Sequence, residues 1–435
     1  MSKWIQVCIR ALLLRLLLRF SLDEQAYHKG FIWRKSCKRW EGQAIREFRP
    51  AGRLKAVKAP EMGRFFALVK ELSGCINLSL GEPDFNVSRN ALNAGFKAAV
   101  GGKTHYPPTN GVVELREALA KKAYKDYGLK YDPDDEVLVT VGASEAISLS
   151  FLALLNHGDE VLIPDPGFVA YEPCVALSGG KAVGVPLREE NDFRPLLGDV
   201  TSLLTSRSRV MLLNFPNNPT GSVLSYNDAR SLAKTAVERD LLVISDEVYE
   251  KIVYDGVRNE CMAALPGMRE RTLVIGSFSK TYAMTGLRVG YVYGPKELIA
   301  PLWMLHQYLV SSVDCLAQYI GLAALTERQG CVHRMVKELS RRRDLVCRRL
   351  NEINGIRCTL PLGAFYAFPN ISAFKKSSDQ FAKLLLKEAR VITVPGSMFG
   401  SCGEGHIRLS YTTPYPKLEE ALDSIGKVAK GLKPT

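Results

Sequence analysis

The sequence predicts an α/β protein with a large domain on a mostly parallel sheet, followed by a smaller α+β domain. From about residue 96 to 295, apolar runs of strand length alternate with helical patterns, and after residue 300 the pattern changes. The runs are rich in Val, Ile and Leu without strict alternation, which is typical of strands covered on both faces. Connections of about a dozen residues or more accommodate crossover helices between parallel strands.

Seven runs are candidate strands of the main sheet. The link between the last two, residues 277–286, holds only ten residues, which is short for a crossover. The last strand is therefore a candidate for antiparallel pairing, and we expect a three-layer domain with a seven-stranded sheet. In chain order the runs are 136–141, 160–164, 181–186, 208–213, 241–245, 272–276 and 287–293.

The C-terminal third reads differently. A helical stretch rich in Arg and Lys covers roughly 332–353, and short strands (FYAFPN, and HIRLSY at 406–411) alternate with helices at about 378–389 and 416–430. We divide the chain into four parts on this basis. They are a basic N-terminal extension (1–50), an N-terminal arm with the first part of the small domain (51–95), a large domain (96–331) and a small C-terminal domain (332–435).

The basic charge belongs to the N-terminus. The chain carries a net charge of +13, but residues 1–60 hold 14 basic and 4 acidic side chains, so the remainder carries only +3. A nearly neutral body does not indicate a nucleic-acid surface.

The N-terminus also holds an apolar run at residues 11–18. Arg15 interrupts this run, which is too short to span a bilayer and lacks a signal-peptide pattern. An over-long start or disordered extension, a membrane-surface helix and an organelle transit peptide remain open.

The ten cysteines are scattered, with no C-x-x-C pair and no metal-ligand spacing. We therefore expect no metal site. Disulfides do not suit a domain of this size without a secretory signal. The cysteines are interpreted as reduced thiols of a cytoplasmic protein.

The densest polar cluster is Ser277-Phe278-Ser279-Lys280, with Arg288 eight residues on, directly after an apolar strand. Ligands of open α/β sheets bind beyond the carboxyl ends of the strands. Two hydroxyls and two cations there would suit a phosphate. A desolvated lysine has a lowered pKa and becomes a nucleophile. The alternative is an exposed loop lysine beside a surface arginine.

Three other residues have both a structural and a chemical interpretation. Asp246 closes a strand, where it can cap a helix or pair with a cation such as a protonated pyridine nitrogen. Tyr249 can pack or present its hydroxyl to the same pocket. Arg408, in an alternating strand, can face solvent or bind a carboxylate with both guanidinium nitrogens.

Two further segments are turn-like. Asn218 lies in NFPNNPTG, where Asn, Pro and Gly make a tight turn whose side-chain amide can reach a ligand. Ala143 and Ser144 lie between a strand and a helix, where small residues at a helix N-terminus can bind an anion or simply cap the helix.

Together these motifs resemble the pyridoxal-phosphate (PLP) dependent aminotransferases of fold type I, specifically the aspartate-aminotransferase-like branch of class I/II that is common in bacteria and archaea. The similarity covers roughly residues 54–430, and the motifs follow the family's order. They are LSLGEPDF (78–85), HYPPTNGVVELREAL (105–119), TVGASEAI (140–147), PDPGFVAYEP (164–173), NFPNNPTG (214–221), SDEVYEKIVYDG (245–256), SFSKTYAMTGLRVGY (277–291) and HIRLSY (406–411).

The resemblance implies a role for each matching residue. Lys280 corresponds to the lysine that carries the cofactor as a Schiff base, and Asp246 to the carboxylate that keeps the pyridine nitrogen protonated. Asn218 and Tyr249 correspond to the partners of the phenolic oxygen, and Phe168 to the ring that stacks on the pyridine. Arg408 would bind the substrate α-carboxylate beside the Gly81 backbone. The phosphate would be bound by Ala143, Ser144, Ser277, Ser279 and Arg288, with Tyr106 reaching the phosphate of a neighbouring subunit.

The resemblance further implies an aminotransferase that moves the amino group of an L-amino acid to a 2-oxo acid, with 2-oxoglutarate as the expected acceptor. Aspartate, aromatic amino acids and alanine remain open as donors. A role for Tyr106 across subunits implies a homodimer with shared sites.

There are two alternative functions. A PLP-dependent β-lyase on the same fold would use the same residues. A transcription regulator would carry an N-terminal helix-turn-helix, whose two-helix pattern residues 1–50 lack.

Overall fold

A computed structural model describes residues 50–57 and 74–432. Apart from Pro50, the predicted extension 1–50 lies outside the described residues. Residues from Gly52 onward belong to one compact unit. Among the described residues, no helix combines the length and the apolar character needed to cross a bilayer.

All seven predicted strands of the main sheet are present, together with five short strands. The prediction for the last strand was three residues too early, because residues 285–287 form a 3-10 turn before the strand begins at Gly290. The strands of the described chain are β1 (Ile76–Asn77), β2 (Val137–Thr140), β3 (Glu160–Asp165), β4 (Lys181–Pro186), β5 (Ser208–Asn214), β6 (Leu242–Asp246), β7 (Thr272–Ser277), β8 (Gly290–Tyr293), β9 (Tyr366–Ala367), β10 (Val391–Ile392), β11 (Val394–Pro395) and β12 (Ile407–Ser410).

The main sheet has the order β2-β8-β7-β6-β5-β3-β4. Strands β3 to β7 pair in parallel, whereas β8 runs antiparallel to both of its neighbours. The short 277–286 link therefore predicted the direction of β8 correctly. Asn214, Asp246 and Ile275 are in register across β5, β6 and β7, so the carboxyl ends of these strands lie side by side.

The helices cover both faces of the sheet, and several begin at side chains that cap their free N–H groups. Ser225 and Asp228 form a capping box, and Asp314 accepts from the Ala317 N–H. The α-helices of the described chain are α1 (Arg89–Val100), α2 (Val113–Tyr127), α3 (Ala143–Leu154), α4 (Tyr171–Leu177), α5 (Leu197–Leu203), α6 (Tyr226–Glu238), α7 (Phe278–Thr281), α8 (Lys296–Leu309), α9 (Cys315–Thr326), α10 (Gly330–Asn351), α11 (Ser378–Leu384) and α12 (Tyr415–Lys430).

A second, smaller layer of structure packs beside the main sheet. Strand β1 pairs with β10, and β12 lies between β11 and β9. One face of α10 and one face of α12 bury Leu339, Leu350 and Leu422 in the same hydrophobic cluster as Phe365 and Ile407. This cluster is separate from the three clusters that flank the main sheet. The domain boundaries inferred from the sequence stay a prediction.

Candidate active site

A cavity of ≈ 260 Å³ opens at the carboxyl ends of β5, β6 and β7. This is the edge at which open α/β sheets bind ligands. A larger cavity of ≈ 730 Å³, beside α10, contains none of the site residues predicted from the sequence. The smaller cavity is lined by Gly81, Ala143, Ser144, Ile147, Phe168, Val169, Tyr171, Asn214, Asn218, Asp246, Val248, Tyr249, Ser277, Ser279, Lys280, Thr285, Arg288, Tyr366, Phe399 and Arg408.

Lys280 enters the cavity from α7, the short helix that follows β7. Its Nζ donates to the Gly81 carbonyl oxygen at 2.6 Å. Burial lowers the pKa of Lys280 to about 8; the neighbouring Arg408 and Arg288 act in the same direction, and the Glu82 carboxylate opposes them. An amine with this pKa is partly unprotonated near neutral pH, as a nucleophile or proton carrier requires.

Asp246 is the last residue of β6 and is buried. Its Oδ2 accepts from the Tyr171 hydroxyl at 2.6 Å, and its Oδ1 accepts from the Val248 N–H at 3.3 Å. Burial raises the pKa of Asp246 to about 6, while Tyr171, the Val248 N–H and Lys280 favour the ionised form. The carboxylate is therefore oriented by two donors and is available to a cationic partner in the cavity.

The N-terminus of α3 and Arg288 form one end of the cavity. Gly142 has φ +75, and a Cβ built there would lie 2.6 Å from a guanidinium nitrogen of Arg288. Only glycine therefore allows the guanidinium to approach this turn. Ser277 Oγ accepts from the Ser279 N–H at 3.1 Å on the adjacent turn. Helix N–H groups, hydroxyls and a guanidinium together make an anion-binding site.

Arg408, on β12, lies at the other end of the cavity. One guanidinium nitrogen donates to Asn218 Oδ1 at 3.0 Å and another to the Ser79 carbonyl at 2.6 Å. The guanidinium carbon lies 4.5 Å from the Tyr366 ring centroid and 4.8 Å from that of Phe399. Its buried Nε has no partner among the described residues, so the hydrogen-bonding capacity of this buried cation is not fully used.

Aromatic side chains complete the walls of the cavity. The Tyr249 and Tyr366 hydroxyls lie 2.8 Å apart. The Phe168 ring packs edge-on against Tyr171, with centroids 5.5 Å apart.

The structure brings every predicted site residue into this cavity except Tyr106, whose side chain is 89% exposed. The sequence interpretation missed Tyr171, Tyr366 and Phe399. Tyr171 lies within PDPGFVAYEP, and its spacing from Phe168 was the one signal that could have indicated it. Tyr366 and Phe399 read as ordinary packing residues in the sequence.

Comparison with known proteins agrees with this geometry. Residues 73–425 match the family described as aminotransferase class I and II. Aromatic-amino-acid aminotransferase 2 of Thermococcus litoralis is 43% identical over 383 residues, covering 88% of this chain and 98% of that protein. An aspartate aminotransferase of Pyrococcus abyssi is 43% identical, covering 88% and 99%.

The fold is also shared with a solved structure. The aspartate aminotransferase of Rhizobium meliloti superimposes with a TM-score of 0.85 at 34% identity, covering 89% of this chain and 100% of that one. The chain therefore belongs to the aminotransferase class I and II family, and it is an aminotransferase of fold type I.

Proposed function

We propose that the cavity binds PLP and that the enzyme uses it to move the amino group of an L-amino acid to a 2-oxo acid, with 2-oxoglutarate as acceptor. The observation that carries this proposal is the convergence of Lys280, Asp246 and Arg408 on one cavity. A nucleophilic amine, a buried carboxylate and a buried guanidinium are the three groups that this chemistry needs.

The donor set fits the cofactor's phosphate. The Ala143–Ser144 turn, Ser277 and Ser279 present N–H and hydroxyl groups, and Arg288 supplies the charge. Because Gly142 lacks a Cβ, the guanidinium and the helix N-terminus can face the same anion.

The remaining walls fit a pyridine ring. Phe168 offers an aromatic face, and Asp246 offers a carboxylate that would hold a proton at the ring nitrogen. Asn218 and Tyr249, which both line the cavity, would supply an amide and a hydroxyl as donors to the phenolic oxygen. Tyr171 keeps the Asp246 carboxylate turned toward the cavity through its 2.6 Å hydrogen bond.

When bound, PLP supplies an electron sink for the pair left behind as the substrate Cα loses its proton. The protein supplies the rest. Lys280 would carry the cofactor and, once released, move the proton at its Nζ, for which a pKa of about 8 is well suited. Arg408 would bind the α-carboxylate with its guanidinium and orient the Cα–H bond.

The amino donor is tested with a panel of aspartate, phenylalanine, tyrosine and alanine against 2-oxoglutarate, with glutamate formation as the readout. Among the described residues that line the cavity, the cations are Lys280, Arg288 and Arg408. We expect glutamate with at least one donor. Release of pyruvate and ammonia from cysteine-type substrates without any glutamate would contradict the proposal in favour of a β-lyase.

We also propose a homodimer. Large hydrophobic side chains are exposed on α1, on the loop that follows it and at the end of α8, where a partner subunit would cover them. Tyr106, at 89% exposure, is free to reach a neighbouring subunit. The exposed side chains are Phe96, Val100, Tyr106, Met304, Tyr308 and Leu309.

A cytoplasmic location is supported by the eight free cysteines of the described chain.

A further inference from the structure

Phe399 and Arg408, the two ends of one chain segment, both line the cavity. The Phe399 ring centroid lies 4.8 Å from the Arg408 guanidinium carbon, and both side chains are buried. Residues 400–407 between them do not line the cavity. Arg408 is the second residue of β12, so the contacts that hold the segment before this strand act on the position of the guanidinium together with the pairing of β12 with β11 and β9.

Asp165 holds the first part of the segment. It is the last residue of β3, and its carboxylate accepts from the Ser401 N–H at 3.2 Å, the Ser401 hydroxyl at 2.7 Å and the Cys402 N–H at 3.0 Å. The Gly167 N–H adds a hydrogen bond to the Phe399 carbonyl at 2.8 Å. The approach is so close that a Cβ on Gly400, which has φ +132, would lie 2.1 Å from Asp165 Oδ1.

Glu189 supports the second part through Asn370, whose backbone pairs with His406 in an isolated antiparallel β-bridge, while His406 Nε2 lies beyond hydrogen-bond distance of the carboxylate. Its side chain is 9% exposed, and it accepts two hydrogen bonds from Arg357, at 2.6 and 2.8 Å, and one from the Asn370 amide at 2.7 Å. His406 Nε2 lies 3.6 Å from the same carboxylate, and the His406 ring stacks on Phe368 with centroids 4.9 Å apart. His406 is two residues before Arg408 on the same segment.

Both carboxylates come from the edge of the main sheet that carries the cavity. Asp165 is in register with Pro186, the last residue of β4, and Glu189 follows three residues later. The Asp165 segment continues directly into Phe168, which also lines the cavity.

We propose that Asp165 and Glu189 are positioning residues for the substrate, which hold the Phe399–Arg408 segment and so fix the Arg408 guanidinium in the cavity. This inference rests on the proposed function. A guanidinium that is already in place binds a carboxylate without the ordering cost that a mobile one incurs. Neither carboxylate lines the cavity, so cofactor binding should be independent of both.

The test compares Asp165→Asn, Glu189→Gln and the double variant with the wild-type holoenzyme. Each substitution keeps the side-chain shape but replaces an acceptor oxygen with an NH2 group that faces existing donors. The control is Asp314→Ala, which removes a side-chain cap from α9 (Ala317 N–H to Asp314 Oδ1, 2.6 Å) outside the cavity.

We expect the KM for the amino donor to rise about threefold in each single variant and about tenfold or more in the double variant. The PLP dissociation constant of the apoenzyme should stay within about twofold of the wild-type value. A second readout does not depend on turnover. Hydrogen–deuterium exchange at the Ser401 and Cys402 amides should be faster in Asp165→Asn than in the wild type. The affinity for α-methyl-L-aspartate or α-methyl-L-phenylalanine, which lack the Cα proton, should fall in the variants whose KM rises.

The control separates positioning from stability. Asp314→Ala should lower the melting temperature without changing KM or analogue affinity. If the double variant lost only thermal stability, as the control does, with KM and analogue binding unchanged, the positioning role would be refuted. If the wild-type enzyme failed to transaminate any donor, the proposed function would fail instead, and the exchange data would still report on the carboxylate contacts.

Discussion

Arg408 donates a hydrogen bond to the Asn218 side-chain oxygen at 3.0 Å, across 190 residues of sequence. The contact joins β12 to the turn after β5. It links a proposed partner of the substrate carboxylate to a proposed partner of the cofactor, so each side chain restrains the other at the boundary between the two ligands.

Arg408→Ala should raise the KM for the amino donor about 10- to 100-fold, the loss expected for hydrogen bonds to a charged group. The PLP dissociation constant should change little. Arg408→Lys should recover only part of the affinity, because an ammonium lacks the planar fork. The comparison is Arg349→Ala, which breaks a partly exposed pair with Asp423 and should leave KM unchanged. An unchanged KM in Arg408→Ala would remove the carboxylate role.

Gly142→Ala should weaken PLP binding about tenfold or more, because the added Cβ meets the Arg288 guanidinium at 2.6 Å. Gly128→Ala is the control for a positive φ without a clash, since its φ is +73 and no atom lies within 4 Å of the added Cβ. Both variants should melt at a lower temperature than the wild type, and Gly142→Ala at the lower temperature of the two, because Gly142 (ψ 168) lies in a region that only glycine adopts readily whereas Gly128 (ψ 7) is left-handed helical. Equal loss of PLP affinity in the two would show that strain, and not the anion site, is responsible.

Much of the fold was predictable because it depends on local patterns. Buried strands such as β6 (Leu242–Asp246) begin in apolar runs, here residues 241–244, and a ten-residue link was enough to predict the antiparallel β8. The strand order was not predictable, since pairing β8 between β2 and β7 is a contact between distant segments.

The candidate site was predictable where a motif carries the chemistry, as for Lys280 and Asp246. Tyr366 and Phe399 were missed for a physical reason. Their roles come from packing against Arg408, and nothing in the local sequence distinguishes them from core aromatics. Asp165 likewise shows its role only through Ser401, which is 236 residues away.

Glu247, the residue after Asp246, faces away from the cavity into a buried polar network. It accepts from Ser245, Tyr127 and Asn259, and Glu250, Lys122 and Cys261 are the other titratable groups that face it. Burial, reinforced by Glu250, raises the pKa of Glu247 to about 7. A carboxyl whose pKa is raised on folding destabilises the native state progressively as pH rises from about 4.5 to about 7.

Glu247→Gln should therefore raise the melting temperature at pH 8 relative to the wild type, and raise it less or not at all at pH 5. Differential scanning calorimetry at both pH values measures this difference. Glu238→Gln, with a side chain that is 59% exposed, should show no such dependence. A larger stabilisation at pH 5 than at pH 8 would contradict the assigned ionisation.

Phe96→Glu should shift the enzyme from dimer to monomer in sedimentation velocity and reduce activity in parallel. The Phe96 side chain is 70% exposed on α1, and a charge there would be buried against a partner. Val237→Glu, at a 42% exposed position on α6, should leave the dimer intact. A wild-type monomer with full activity would contradict shared active sites.

The central claim is that Lys280 carries the cofactor. The most direct measurement is reduction of the PLP-loaded enzyme with sodium borohydride, followed by proteolysis and mass spectrometry. We predict one pyridoxyl phosphate group per chain on Lys280, and its loss in Lys280→Ala together with at least about a thousandfold loss of turnover. A label on another lysine, or normal transamination by Lys280→Ala, would contradict the account.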